Sequence, residues 1–267
     1  MKFIAALLVA FVGASSACDF PPSLWCSSKE ISKLCKVEEH CREHLASSGL
    51  TNAAPVNFAL YYESLCPDCK LFFQHQLTET FHTLGSIMNL TLIPYGNAEE
   101  RKRGDKYVFT CQHGEQECVG NVIETCAIHL LKDIKVYFPF ITCMEASSTD
   151  PKEAAKQCAT KTKITQLNAI MKCADGPQGN QLEHQMAMKT DALQPAHQYV
   201  PWVTLNGVHT EKIQNEAEKN LLKLICDTYK GTKPAICKTE EPKKRCTKES
   251  WFFASLPSFG KRTHDVL

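Results

Sequence analysis

The sequence predicts an α/β domain stapled by disulfides, and three observations carry that prediction. The apolar run Phe58-Ala59-Leu60-Tyr61-Tyr62, the pair Cys66-Pro67-Asp68-Cys69 and a helical pattern from Lys70 make a strand, a turn and a helix. Farther on, Tyr199-Val200-Pro201-Trp202-Val203-Thr204-Leu205 sets a Val-Pro step ahead of an alternating strand. Between the halves lie Cys111, Cys118, Cys126, Cys143, Cys158 and Cys173, among fifteen cysteines in all. A Cys-x-x-Cys at a strand–helix junction reads as a redox site. Its first cysteine sits where unpaired helix N–H groups favour a thiolate, and the second lies one turn on, close enough to form or break a disulfide. Half of a zinc site and an inert structural disulfide are the competing readings. No second Cys-x-x-Cys or spaced histidine pair follows to complete a zinc set, so no metal is expected.

In chain order, residues 1–17 read as a secretory signal: Lys2, an apolar core from Phe3 to Val12, and the small residues Ser15-Ser16-Ala17. That run is too short to span a bilayer and no later segment is long enough, so no membrane anchor is expected. Without Lys2 the remaining chain carries 29 basic and 29 acidic side chains, a balance that offers nothing to nucleic acid or anionic lipid. Below about pH 6.5 the 10 histidines would turn the chain positive. Many cysteines in a secreted chain imply a disulfide framework. Their odd number permits a disulfide-linked homodimer, with Cys246 as one candidate. Asn89-Leu90-Thr91 is an N-glycosylation sequon.

Residues 18–48 hold Cys18, Cys26, Cys35 and Cys41 in a span too short to bury a core without cross-links. Ser47 to Pro55 reads as a linker, and a main domain is expected over 49–231. Its first half is a βαβ unit: a strand from Val56, a helix with Phe73, Leu77, Phe81 and Leu84 on one face, and a second strand from Met88 to Tyr95. Asn97 to Asp105 reads as a charged, turn-rich opening to a helical insertion over about 97–190. There the apolar positions from Val119 fall at helical spacing, and Asp150-Pro151 starts a helix expected to run toward Cys173. Residues 174–180 read as a loop. The second half is the Val-Pro strand, a type I′ hairpin turn at Asn206-Gly207, a returning strand, and a helix with Ala217, Leu221, Leu224 and Ile225 inward. These halves together predict a thioredoxin-like fold with a disulfide-braced helical insertion and a small disulfide-rich N-terminal module. In such folds a cis-proline faces the active cysteines, which makes Val200 and Pro201 the expected substrate-binding residues. Cys226 and Cys237 join the structural disulfide candidates, and residues 232–267, Lys- and Pro-rich with dibasic sites, read as a removable extension.

Two resemblances add to this. Cys18…Pro21-Pro22-Ser23-Leu24-Trp25-Cys26…Cys35…Cys41 resembles the saposin A-type domain, a propeptide or sorting module without catalysis. Cys111-Gln112-His113-Gly114-x-x-Glu117-Cys118-x-x-Asn121-x₄-Cys126 matches, at every defined position, the signature of the gamma-interferon-inducible lysosomal thiol reductase family. The likeness covers about Pro55 to Cys246. It implies a lysosomal disulfide reductase made as a precursor, acting at acid pH on endocytosed disulfide-bonded proteins, and supporting antigen processing. Cys66 and Cys69 stand at its two catalytic positions, with no bound cofactor and a small thiol as electron donor. Cys111, Cys118 and Cys126 are expected to brace the insertion, and His113 either to be a packed histidine, the favoured reading, or to lie near the site. A secretory-pathway oxidase or isomerase would use the same pair, and a non-enzymatic binding protein would hold it as a structural bond. Acid pH is demanding, since a thiol of pKa about 8.5 is only about 0.03% ionised at pH 5. Asp68, next to the attacking sulfur, is expected to oppose the thiolate further.

Overall fold

A computed structural model describes residues 29–39, 41 and 53–239. The expected signal peptide, Cys18, Cys26, Cys246 and most of the C-terminal extension lie outside the described residues. In the N-terminal segment, helix α1 (Lys29–Leu34) precedes Cys35 and Cys41, each of which is disulfide-bonded.

Strand β1 (Val56–Tyr62) is the centre of a three-stranded sheet. It pairs in parallel with β2 (Met88–Pro94), Phe58 beside Leu90, and antiparallel with β5 (Trp202–Leu205), Leu60 beside Val203. Alternation along β1 buries Phe58, Leu60 and Tyr62 on one face, against Phe73, Leu77, Phe138, Leu221 and Ile225. The opposite face, with Tyr61, packs with Ile93, Tyr95, Met186 and Ala187 in a smaller cluster. Both faces are therefore covered, as a parallel pairing requires.

The β1-to-β2 crossover opens with α2 (Pro67–Phe72), passes through a π-helical turn at Phe73–Leu77, and continues as α3 (Thr78–Leu84). The π-turn leaves Gln76 Oε1 to accept the N–H of Leu221 at 3.1 Å. That contact lies in helix α9 (Glu211–Thr228), at the break in its backbone at Asn220.

Between β2 and β5 the structure departs from the sequence reading in three places. The charged stretch after Asn97 is not merely turns: β3 (Glu99–Arg103) and β4 (Lys106–Thr110) form a hairpin closed at Gly104. Charge on β3 obscured it, while Tyr107 and Phe109 alternate inward on β4 as a strand should. The hairpin is held to helix α8 (Pro177–Asp191) by Asn180, which exchanges two hydrogen bonds with the Tyr107 backbone at 2.9 and 2.7 Å. Helices α4 (Glu115–Leu131) and α5 (Ile134–Glu145) follow. The helix begun at Asp150-Pro151 then stops, so that α6 (Pro151–Thr162) and α7 (Leu167–Ala174) are separate. Lys163 takes a left-handed conformation there, and the Ile164 N–H returns to the Ala159 carbonyl at 2.8 Å, closing a C-cap without glycine. The loop expected over 174–180 shrinks, because Pro177 already starts α8 (Pro177–Asp191).

After β5 the Asn206-Gly207 turn forms with both residues at positive φ. The returning strand does not: it is a single bridge between Leu205 and Val208. The chain has no room for more, since Thr210 already caps α9 by accepting the Ile213 N–H. A short helix, α10 (Ile236–Thr239), ends the described chain.

Disulfides tie these pieces together: Cys126–Cys173 joins α4 to α7, Cys143–Cys158 joins α5 to α6, and Cys226–Cys237 joins α9 to α10. Cys111–Cys118 closes the turn between β4 and α4.

Candidate active site

The end of β1 delivers Cys66 to the N-terminus of α2. Cys66 is the cap residue, with extended backbone, and its sulfur accepts the Cys69 N–H at 3.3 Å. Pro67 suits the first helical position because its missing N–H has no partner to lose. Among the described cysteines only Cys66 and Cys69 are free, and both are buried. A hydrogen bond from the Cys69 thiol, with further ones from the Cys69 and Asp68 backbone, lowers the Cys66 thiol below its ordinary range despite burial. Burial, and then the same bond given to Cys66, push the Cys69 thiol strongly up. The pair is thus asymmetric: one sulfur is prepared to be a thiolate and the other keeps its proton.

The Val200–Pro201 peptide is cis and faces the pair, with the Val200 carbonyl oxygen 3.9 Å from the Cys66 sulfur. Asp68, Leu71 and Phe72 on one side and Tyr199, Val200 and Pro201 on the other line a cleft of about 560 Å³. Leu71 is exposed there. Asn89 lies elsewhere, exposed on β2, its amide donating to Asn57 Oδ1 at 2.8 Å.

The carboxylate that opposes the thiolate is Glu63, not Asp68. Asp68 is exposed, so water screens its charge, and its contribution is the backbone N–H it points at sulfur. Glu63 is fully buried in the turn between β1 and α2. Its Oε1 accepts the Asn97 N–H at 2.6 Å, and its Oε2 faces His113 Nδ1 at 3.4 Å. Burial, then the charge of Glu117, raise its carboxyl to about 7, against the opposing pull of Asn97 and His113. His113 Nδ1 donates to Glu117 Oε2 at 2.6 Å, and the His113 N–H donates to Glu117 Oε1 at 2.9 Å. Desolvation disfavours the imidazolium, but the Glu117 hydrogen bond and charge outweigh it and hold His113 above the ordinary range. His113 is therefore no mere packed residue. Glu63, His113 and Glu117 each offer an atom within 4.8 Å of the others, a spacing compatible with a cation. The 2.6 Å hydrogen bond already engages the nitrogen, which favours a proton-sharing cluster.

The reason for the Cys111–Cys126 pattern is visible from α4. Glu117, Asn121 and Glu124 fall at spacings of four and three, one buried face of a helix, and all three meet the end of β1. Asn121 Oδ1 accepts the Ser64 N–H at 2.9 Å, and the Glu117 carbonyl accepts the Ser64 hydroxyl at 3.0 Å. Gly120 is required in this approach, since a Cβ there would stand 2.3 Å from Ser64 Oγ. Glu124 accepts the Tyr62 hydroxyl at 2.5 Å beneath the cysteine pair.

Glu124 and Glu145 are both buried and paired. As two carboxylates, Glu124 Oε1 and both Glu145 oxygens would have no donor at all. Burial, then the neighbouring Glu124 charge, raise Glu145 well above the carboxylate range. Burial lifts Glu124 to about 7, while Tyr62, Glu145 and Lys70 pull it down.

Sequence reasoning singled out the cysteine pair and Val200-Pro201, which the structure brings together, but missed Glu63, Glu124 and Glu145. An acidic residue inside an otherwise apolar helix face, as Glu124 is beside Ile123 and Cys126, was the available signal.

Residues 57–162 match the family model described as gamma interferon inducible lysosomal thiol reductase, and residues 15–45 match the saposin A-type domain. A gamma-interferon-inducible lysosomal thiol reductase of Carassius auratus is 47% identical over 83% of this chain and 85% of its own length. One of Mus musculus is 39% identical over 85% of this chain and 89% of its own. Among solved structures, the DsbA of Chlamydia trachomatis has 13% identity and a TM-score of 0.45, covering 63% of this chain and 88% of that one. On the strength of the sequence relatives, the chain belongs to the gamma interferon inducible lysosomal thiol reductase family, whose chemistry is that of a disulfide oxidoreductase.

Proposed function

We propose that the chain reduces disulfides of endocytosed proteins in the lysosome at acid pH, with Cys66 as nucleophile and Cys69 as resolving thiol, and so supports antigen processing. The observation that carries this reading is the asymmetry of the pair: Cys66 lowered and capped by the Cys69 N–H, Cys69 buried and raised. The Cys66 thiolate attacks one sulfur of the substrate disulfide. The substrate S–S bond breaks, its other sulfur leaves and takes a proton, and a mixed disulfide with Cys66 forms. Cys69 then loses its proton and attacks the Cys66 sulfur. The second substrate thiol departs, and Cys66–Cys69 is left oxidised by two electrons. Two molecules of a small thiol reduce the pair again, becoming one disulfide; no bound cofactor is needed. Val200 and Pro201 hold the substrate beside Cys66.

In this reading residues 1–17 direct the chain into the secretory pathway, 18–48 form the saposin A-type module, and 49–231 form the catalytic domain with its insertion over about 97–190. The extension over 232–267 is trimmed beyond α10, whose Cys237 stays tied to Cys226, and Asn89, exposed on its strand, carries a glycan. No helix among the described residues is long and apolar enough to cross a membrane, in keeping with a protein delivered free into the lumen. A disulfide-linked homodimer through the odd cysteine belongs to the same proposal.

The test is reduction of a disulfide-bonded protein between pH 4.5 and 8 with a small thiol as donor. Activity at the acid end, abolished in Cys66→Ser and replaced by a trapped mixed disulfide in Cys69→Ser, is the expected result. Activity confined to neutral pH would transfer the chain to secretory-pathway oxidation or isomerisation, and none at any pH would make the pair structural.

A further inference from the structure

A thiolate that must work in acid faces a buried carboxyl that the exchange steps never use. Glu63 leads directly into the cysteine pair, and its backbone carbonyl accepts the Cys66 N–H at 3.3 Å. Its Oε2 has no hydrogen-bond donor, only the His113 nitrogen 3.4 Å away, which is already given to Glu117. The arrangement is built rather than incidental. Gly96 makes space for Glu63: with φ +61, it has no Cβ where one would come 2.3 Å from Glu63 Cγ. Cys111–Cys118 closes the turn that carries His113, and Glu117 fastens that turn at both the His113 ring and its backbone N–H.

We propose that Glu63 and His113 are positioning residues for the Cys66 nucleophile: the protons they share set the charge facing its sulfur, so that acidification favours the thiolate instead of extinguishing it. This rests on the reading of Cys66 as the attacking sulfur. With His113 neutral and both carboxyls ionised the cluster carries two negative charges; after uptake of two protons it carries none. Glu63 disfavours the Cys66 anion, and His113 is coupled to that anion with the opposite sign. Glu63 titrates at about 7, so its charge is lost between neutral and lysosomal pH, and His113, held above its ordinary range, is charged at lysosomal pH.

Other groups face the same sulfur. Cys69 and Glu145 lie beneath it, and burial keeps the first a thiol and the second protonated. Lys70 points away to the Ser147 carbonyl at 2.7 Å, and Asp68 is exposed. On the far side His197, which burial holds below the ordinary range, bonds to the Gly96 backbone. Of these groups, Glu63 is the one that loses its charge as the pH falls through 7, with the His113 cation beside it on the acid side.

The experiment follows Cys66 alkylation by iodoacetamide from pH 4 to 8, after mild reduction of the Cys66–Cys69 bond, alongside disulfide reductase activity over the same range. In Glu63→Gln, which keeps an acceptor for the Asn97 N–H, the ionised fraction near neutral pH should rise about tenfold, and activity should extend upward in pH. In His113→Asn the acid limb should fall by a similar factor while neutral activity is little changed. Opposite shifts are the outcome that a merely structural role would not give; superimposed curves, or shifts of the same sign, overturn the proposal. Should a variant fail to fold, the wild-type curve decides: a facing charge that changes during the titration makes it broader than a single-site curve, and a single-site curve refutes the coupling. A wild type whose alkylation curve is broad but which reduces no disulfide overturns the reductase reading and leaves the charge coupling standing. A wild type that reduces disulfides with curves that do not separate does the reverse.

Discussion

Raising the pH from 5 to 8 should weaken the fold by about 5 kcal/mol, and the size follows from two buried carboxyls. Glu63 and Glu124 each titrate at about 7 in the folded chain, against 4.5 for an ordinary glutamate. The folded state therefore holds these protons more tightly than the unfolded one. Its advantage is complete below about pH 4.5 and is lost as the pH rises through 7. Integrated between pH 5 and 8, each group contributes about 2.5 kcal/mol. Glu145 and His113, also raised, act in the same direction, while His197, lowered by burial, acts against it. With a urea slope of about 2 kcal/mol per molar, the unfolding midpoint should fall by about 2.5 M between the two pH values, disulfides intact. Glu124→Gln keeps an acceptor for Tyr62 but removes one titration, so its midpoint should fall by only about half as much. A midpoint that is flat or rises with pH would refute the assignment of protons to these buried groups.

Three further outcomes can be checked by thermal or urea unfolding. Tyr62→Phe leaves Glu124 Oε2 without its 2.5 Å donor in a buried site, and should cost about 1–3 kcal/mol. Gly96→Ala forces a Cβ against Glu63 at a positive φ and should cost at least about 1 kcal/mol, accompanied by a change in the pH dependence of Cys66 alkylation because Glu63 must move. Replacing both Cys126 and Cys173 by Ala releases a loop of 47 residues and should cost about 4 kcal/mol on the chain-entropy account, while the free Cys66–Cys69 pair keeps its reactivity where the protein still folds.

How far the sequence could be read depended on how local each cause was. The strand–turn–helix around Cys66, the cis step at Val200-Pro201 and the Asn206-Gly207 turn each follow from a few adjacent residues, and all stand in the structure. The β3–β4 hairpin was hidden because charged residues on β3 look like a loop until Asn180 and α8 are present to receive β4. The break at Lys163 was hidden for a different reason, since a lysine in a left-handed C-cap has no sequence mark of its own. Within the site, the cysteines were legible and the acids were not. Glu63, His113 and Glu117 are distant or unremarked in sequence, and only the docking of α4 on the end of β1 gives them a common role. Asp68 was misjudged because adjacency in sequence says nothing about exposure to water.

The polar face of α4 also bears on how this protein can be taken apart. Tyr62, Glu63 and Ser64, the last residues before the cysteine loop, draw their side-chain or backbone partners from Glu124, His113, Asn121 and Glu117. Every one of those partners belongs to the segment between β2 and β5. Excising that segment to leave a minimal redox domain would strand two hydroxyls, a carboxyl and a backbone N–H in an apolar interior. The insertion is thus no detachable cassette: any graft of this cysteine pair onto another scaffold must bring the Glu117–Glu124 face along, or replace Tyr62 to Ser64 with residues that ask for no partner.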